Sequence, residues 1–380
     1  MSSSGLRELT GNAYDYVKWR SDLSLEADPI NEVDIFLLSQ FATPDFGGIV
    51  SGNVFEITLE EACDKYFLTH STDKSNIGLL QSDYLLPTLR IASKSNRYRG
   101  LGLCGYVNRV REETAEQFSA VITCVNHDLI VVTFMGTDDT LTGWKEDFHL
   151  GVMERVPSQK DAAEYLAWAA EVYPTARIAV CGHSKGGNLA LYSAVTASEE
   201  IRDRIEFVYN LDGPGLRKEF LDSEGYRSIR GKLRTIVSEQ TTIGTLMNMN
   251  VPLTIVQTDA VGMVAHDAFT WKIVGNKFIK TEKLSKDSIL FGYTINKLME
   301  SLPDEELVAA SDALFEILFS TGARTLTEMK NTDVRKMLHA LSQMKKQKEI
   351  SRFAALLKKE TEKTIKLMKK GDITLWENTD

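Results

Sequence analysis

The stretch Ile178-Ala179-Val180-Cys181-Gly182-His183-Ser184-Lys185-Gly186-Gly187-Asn188-Leu189-Ala190 decides the fold. It reads as an apolar strand, a Gly-x-Ser-x-Gly turn and the start of a helix. In such a nucleophile elbow the serine, here Ser184, occupies a strained turn at the carboxyl end of a central strand. Gly182 and Gly186 are required because Cβ atoms there would collide across the tight strand-to-helix turn. The helix starting after Ser184 adds a favourable field for negative charge developing on a nearby oxygen. A bare Gly-x-Ser-x-Gly arises often by chance, but an inert glycine-rich turn would leave the flanking apolar and helical runs unexplained.

Working outward from the elbow, residues 118–125 and 129–135 are β-rich and flank the turn Asn126-His127-Asp128, which makes a hairpin. Tyr165, Leu166, Ala169, Ala170 and Tyr173 fall at helical spacing, so 161–173 is expected to be a helix. Strands are expected at 177–181, 205–211, 233–238 and 253–258, with a helix at 188–197. Alternation of this kind, with several continuously apolar strands, defines an α/β architecture: a mostly parallel central sheet flanked by helices. Residues 1–115 read as a mostly helical N-terminal part, with an apolar block at 34–41 and a Thr58/Glu61 capping box. Residues 116–280 are the expected α/β core, and 281–380 a helical C-terminal extension.

A serine hydroxyl needs a base to take its proton, and in this architecture the base follows the serine in the chain, in the order Ser, acid, His. Of the six histidines only His266 and His339 lie beyond Ser184. His339 sits in a Lys-rich helical stretch, whereas His266 follows the last expected strand, on a loop that can swing over the elbow, and is the candidate base. The acid should end a strand after the elbow, which leaves Asp212, Glu239 and Asp259. Asp212 opens the turn Asp212-Gly213-Pro214-Gly215 beside the serine strand and ranks first, with Glu239 as the alternative. An oxyanion hole needs two backbone N–H donors: Lys185, next to the serine, and Thr137, in the turn Phe134-Met135-Gly136-Thr137 that ends an earlier strand.

Composition narrows the function classes. The 380 residues are 43% hydrophobic and 26% charged, a globular balance that excludes a disordered chain or a fibrous rod. Cys63, Cys104, Cys124 and Cys181 show neither a CxxC pair nor a zinc spacing, so reduced thiols are expected and neither metal nor cofactor is called for. The polar start Met1-Ser2-Ser3-Ser4-Gly5 and the lack of an apolar run of about 18 residues lead to the expectation of a cytoplasmic protein. A net charge of −9 argues against nucleic acid as a partner. Residues 331–370, however, carry 12 Lys/Arg against 4 Asp/Glu, a +8 segment that leaves −17 for the rest. With Val334, Met337, Leu338, Leu341 and Met344 at helical spacing, this tail is either a helix packed on the core with a solvated basic face or one that lies on an anionic membrane surface.

The motifs Phe134-Met135-Gly136-Thr137, Gly143-Trp144-Lys145-Glu146-Asp147 and Gly182-His183-Ser184-Lys185-Gly186-Gly187 resemble those of the class 3, fungal-type triacylglycerol lipases. More closely, the chain resembles a bacterial lipase-like family of unknown function, through its Gly-His-Ser-Lys-Gly-Gly-Asn elbow, Asn210 to Gly215, and His266-Asp267 with Trp271, over about residues 17–273. The resemblance implies an α/β-hydrolase fold and ester hydrolysis, with an ester or lipid small molecule as substrate. Two positions depart from the lipase pattern. Met135 replaces a basic residue, and Ser238-Glu239-Gln240-Thr241 has Thr where the lipases carry their acid, which moves the acid to Asp212. An acyltransferase or thioesterase would use the same groups, and a hydrolase fold serving only as a binding or membrane-surface module is the reading from another class.

Overall fold

In the computed structural model, residues 10–371 and 373 are described. The strands are β1 (Ile57–Thr58), β2 (Gly102–Arg111), β3 (Glu116–Asn126), β4 (Leu129–Phe134), β5 (Arg177–His183), β6 (Ile205–Leu211), β7 (Leu233–Ser238), β8 (Leu253–Val256), β9 (Ile273–Val274), β10 (Lys277–Phe278) and β11 (Lys280–Thr281). One sheet has the order β1-β2-β3-β4-β5-β6-β7-β8-β11, and β9 pairs with β10 as a separate ribbon. The sheet is mixed. Strands β4 to β8 are parallel, while β1 to β4 and the β8–β11 pair are antiparallel. Connection length accounts for the division: the short turn at 127–128 can only return the chain antiparallel, whereas β4 to β5 crosses over through two helices, α1 (Leu141–Leu150) and α2 (Pro157–Val172).

Each parallel strand is buried on both faces, so its side chains alternate between two cores. Ile178 and Val180 of β5 join Ile130, Val132 and Phe134 of β4 against α2 and the helix after the elbow, α3 (Lys185–Thr196). Ala179 and Cys181 face the other way, into a core with Val33, Phe36 and Leu37 of the N-terminal helix Glu32–Phe41. The described residues before 100 therefore contribute helices over one face and the short edge strand β1. Strand β2 stands where the sequence reads as part of a mostly helical segment. Gly102 and Gly105 thin its hydrophobic pattern, and its pairing to β3 across a bulge between Cys104 and Val107 is a tertiary contact.

Three N-terminal helices start on reciprocal capping boxes, Asn12/Asp15, Asn31/Asp34 and Thr58/Glu61. Asp34 does more than cap. Its buried carboxylate accepts from Arg97 Nε at 2.8 Å, Tyr98 OH at 2.5 Å and Tyr16 OH at 3.0 Å, and pairs with the Arg97 Nη2. Both side chains of the pair are fully shielded, so the charges are tolerable only because the hydrogen bonds are satisfied.

The helices after residue 285 are α4 (Lys286–Ser301), α5 (Asp304–Ser320), a single-turn piece at Leu326–Lys330, α6 (Val334–Met344) and α7 (Lys348–Lys370). Helix α5 packs on α1, and α7 packs across α4 and α5. Substituting Arg97 by Met should leave Asp34 as an uncompensated buried charge and cost about 3–5 kcal/mol of unfolding free energy. Urea denaturation of the variant measures this, and a loss below about 1 kcal/mol would contradict the account.

Candidate active site

At the end of β5 the backbone of Ser184 takes φ 58° and ψ −130°, a conformation that a side-chain-bearing residue adopts only when its surroundings enforce it. The enforcement is steric and hydrogen-bonded. A Cβ on Gly182 would lie 2.2 Å from the Gly186 carbonyl carbon, and one on Gly186 would lie 2.2 Å from the Phe134 carbonyl oxygen. Ser184 N–H donates to the Leu211 carbonyl of β6 at 3.0 Å.

Strand β6 runs directly into Asp212, which is buried and has φ 50°. Its N–H donates to Ile236 of β7 at 2.8 Å, and the Asn210 carboxamide closes the turn by accepting from Gly213 N–H at 2.9 Å. His266 comes from the 3-10 turn Gly262–His266 after β8, and its Nδ1 lies 2.7 Å from Asp212 Oδ2. Facing a carboxylate, Nδ1 is the donor nitrogen, and in a neutral ring Nε2 is then the acceptor. The loop is held from behind. Asp267 accepts from Phe269 N–H at 3.0 Å, and the buried Trp271 indole donates to the Ala265 carbonyl at 3.2 Å.

His183 belongs to this arrangement although its place before the serine removed it from consideration as the base. Its ring stacks on His266 at 4.7 Å between centroids, and its Nε2–H donates to the His266 carbonyl at 2.9 Å. Burial, and after it the neighbouring His266, push its pKa down to about 3, so it is a neutral support for the His266 ring. The other acid candidates are engaged elsewhere. Glu239 accepts from Thr258 N–H and Asp259 pairs with Lys272, while Thr241, which stands where the lipases carry their acid, accepts from Gly244 N–H through its hydroxyl. His339 lies on α6, beside Gln343.

The turn carrying Thr137 lies against the elbow: a Cβ on Gly136 would be 3.3 Å from Ser184 Cβ. Thr137 Oγ1 donates to Asp147 at 2.6 Å, and Asp147 Oδ1 is shut off from solvent with no partner among the described residues. Lys185, singled out in the sequence only for its N–H, also buries its ammonium. All three of its protons find acceptors: the Gln117 carbonyl at 2.8 Å, Gln117 Oε1 at 2.5 Å and Glu146 Oε2 at 3.0 Å. Glu146 in turn accepts from Gln117 N–H at 3.0 Å and Ser158 N–H at 2.9 Å, so the buried pair is fully satisfied. A lysine inside a glycine-rich elbow, with Glu-Asp in the Trp-containing motif, was the available signal.

A sheet whose parallel strands deliver a strained serine, a buried aspartate and a histidine to their carboxyl ends defines an α/β-hydrolase-like fold. The chain belongs to the Mbeg1-like family, a lipase-like family whose profile matches residues 92–316, more than half of the chain. That match starts later and ends later than the 17–273 span read from the motifs. No curated protein sequence matches the chain. Among solved structures it is similar to the M37 lipase (10% identity, 62% of this chain and 89% of that one, TM-score 0.35). It is similar also to the Lip2 lipase from Yarrowia lipolytica (12%, 67% and 86%, 0.35) and to a lipase from Rhizopus microsporus var. chinensis (13%, 68% and 84%, 0.34). The strand order and the elbow, rather than these likenesses, define the fold. Among the described residues no group of three or more His, Cys, Asp or Glu side chains is placed to hold a metal ion.

Burial pushes the Asp147 carboxyl up to about 6, with Lys185 and the Thr137 hydroxyl pulling the other way. A carboxyl raised in the folded state stabilises the fold when protonated, and that contribution is lost as pH rises through about 6. Asp147→Asn should therefore gain stability relative to wild type between pH 4 and 7. Parallel thermal melts across that range check this, and a pH-independent difference would show that Asp147 does not titrate there.

Proposed function

We propose that the protein is a serine hydrolase that cleaves carboxylic esters through an acyl-enzyme on Ser184. The observation that carries this reading is the 2.7 Å contact between His266 Nδ1 and the buried Asp212, on a ring stacked against the residue that precedes Ser184. Asp212 fixes the tautomer and orientation of His266 and stabilises its charged form. His266 Nε2 takes the Ser184 proton as Oγ attacks the acyl carbonyl, and returns it to the leaving alcohol. The N–H groups of Lys185 and Thr137 hold the oxyanion, assisted by the amino end of α3. Water then releases the acid. An acyl acceptor other than water would make the same groups an acyltransferase, and a thioester substrate would make them a thioesterase.

A lipid-like ester is the favoured substrate class. The loop that ends in His266 exposes Val261 (72%), Met263 (53%) and Val264 (65%), so apolar surface surrounds the proposed base. Purified protein should hydrolyse p-nitrophenyl butyrate and react with a fluorophosphonate probe at Ser184. Ser184→Ala should abolish both, and Asp212→Asn should lower kcat by on the order of a hundredfold or more, with Glu239→Gln near wild type. Unchanged hydrolysis in Ser184→Ala would remove the assignment, and a wild type inert to the probe would favour a binding module.

A second role, attachment to an anionic membrane surface, is favoured by α6. Val334 (71%), Leu338 (61%) and Leu341 (47%) form an exposed apolar stripe flanked by Arg335 and Lys345. Among the described residues no helix is long and apolar enough to cross a membrane. Flotation with phosphatidylserine-containing vesicles should recover the full chain, and replacing the three stripe residues by Glu should reduce recovery at least fivefold. Equal recovery of both proteins would exclude α6 as the contact.

A further inference from the structure

The Thr137 turn is held from two sides. On its inner side Thr137 bonds Asp147, and the Asp138 carboxylate accepts from Thr140 N–H at 2.8 Å. On its outer side stands Asp139, which neither the elbow nor the His–Asp pair uses. Its Oδ1 accepts from Leu79 N–H at 3.0 Å and its Oδ2 from Thr327 N–H at 3.1 Å. Its carbonyl accepts from Leu326 N–H at 2.8 Å, and Leu141 N–H donates to the Arg324 carbonyl at 2.8 Å. Thr140 and Thr325 form an antiparallel bridge between these two bonds. One side chain thus joins three segments distant in the chain: the loop at 78–79, the Thr137 turn, and the segment that links α5 to α6.

The contact is close as well as bonded. Gly78 has φ +110°, and a Cβ there would lie 2.8 Å from Asp139 Cβ, so the loop approaches to a distance that only glycine permits. We propose that Asp139 is a positioning residue for the oxyanion donor at Thr137, and that through it residues 324–327 form part of the catalytic frame. The proposal rests on the hydrolase reading. An oxyanion donor acts mainly on the transition state, so a turn freed to shift lowers kcat more than it raises KM. The helices after residue 285 are then more than an appendage, because the bridge at Thr325 ties their connecting segment to the turn.

The test uses the full chain and the variants Asp139→Ala and Asp139→Asn. The expected result is at least a tenfold fall in kcat for p-nitrophenyl butyrate in Asp139→Ala, with KM within about twofold and a smaller fall in Asp139→Asn, which keeps one acceptor oxygen. Fluorophosphonate labelling of Ser184 should slow in step. Hydrogen exchange should quicken together in peptides covering 78–80 and 324–328. Quickened exchange at both with kcat and labelling unchanged would make the contact structural only and overturn the inference. So would exchange that quickens at one segment alone. Absence of labelling in wild type would instead be the failure of the hydrolase reading, and the positioning role would fall with it.

Discussion

Strand β5 and helix α3 meet with no room for a side chain between them, and the arrangement of the site depends on that contact. With Gly186 against the Phe134 carbonyl and Gly182 against Gly186, the helix start is pressed onto the ends of both β4 and β5. Three outcomes follow from one steric fact. Ser184 is left on the outside of the turn in a strained conformation, the chain leaving β4 must pass beside Ser184, and the end of β6 comes within hydrogen-bonding distance of the serine backbone. The strain at Ser184 is held by packing that over-determines it.

The position of Asp212 shows how a carboxylate can be brought to His266 from a neighbouring strand. The lipase pattern that the motifs resemble places the carboxylate after β7, where this chain has Thr241, buried and occupied with capping its own turn. Asp212, one strand closer to the serine, reaches His266 from a backbone with positive φ that the Asn210 carboxamide stabilises. Strand β6 lies directly beside β5, so this carboxylate reaches the imidazole from the strand next to the serine's. The uncharged ring of His183, the residue before Ser184, stacks against His266.

How much of this was legible in the sequence differs by the range of the interaction responsible. The elbow, the 118–135 hairpin, the parallel strands and the helical tail are written in short windows of hydrophobic period and turn residues, and the observed elements β3 to β8 fall within a few residues of those windows. Strand β2 was hidden because glycines at 102 and 105 serve contacts with distant residues, Trp168 against Gly105 among them. His266 and Asp212, which the fold brings to 2.7 Å of each other, both follow strands that were legible. The buried Lys185–Glu146 pair and the threefold contact at Asp139 were not, because they join residues far apart in sequence and leave no periodic trace.

The burial of the Lys185 ammonium gives the chain an internal chemical reporter. Most lysines here are solvated, and amine-acylating reagents will modify them in the native state at rates set by their exposure. Lys185 has spent all three of its protons on fixed acceptors and is almost wholly shielded from solvent, so it reacts when the layer between α1, β3 and α3 opens. The time course of its acylation, read by mass spectrometry against the surface lysines, therefore measures how often the floor of the site comes apart while the rest of the fold persists.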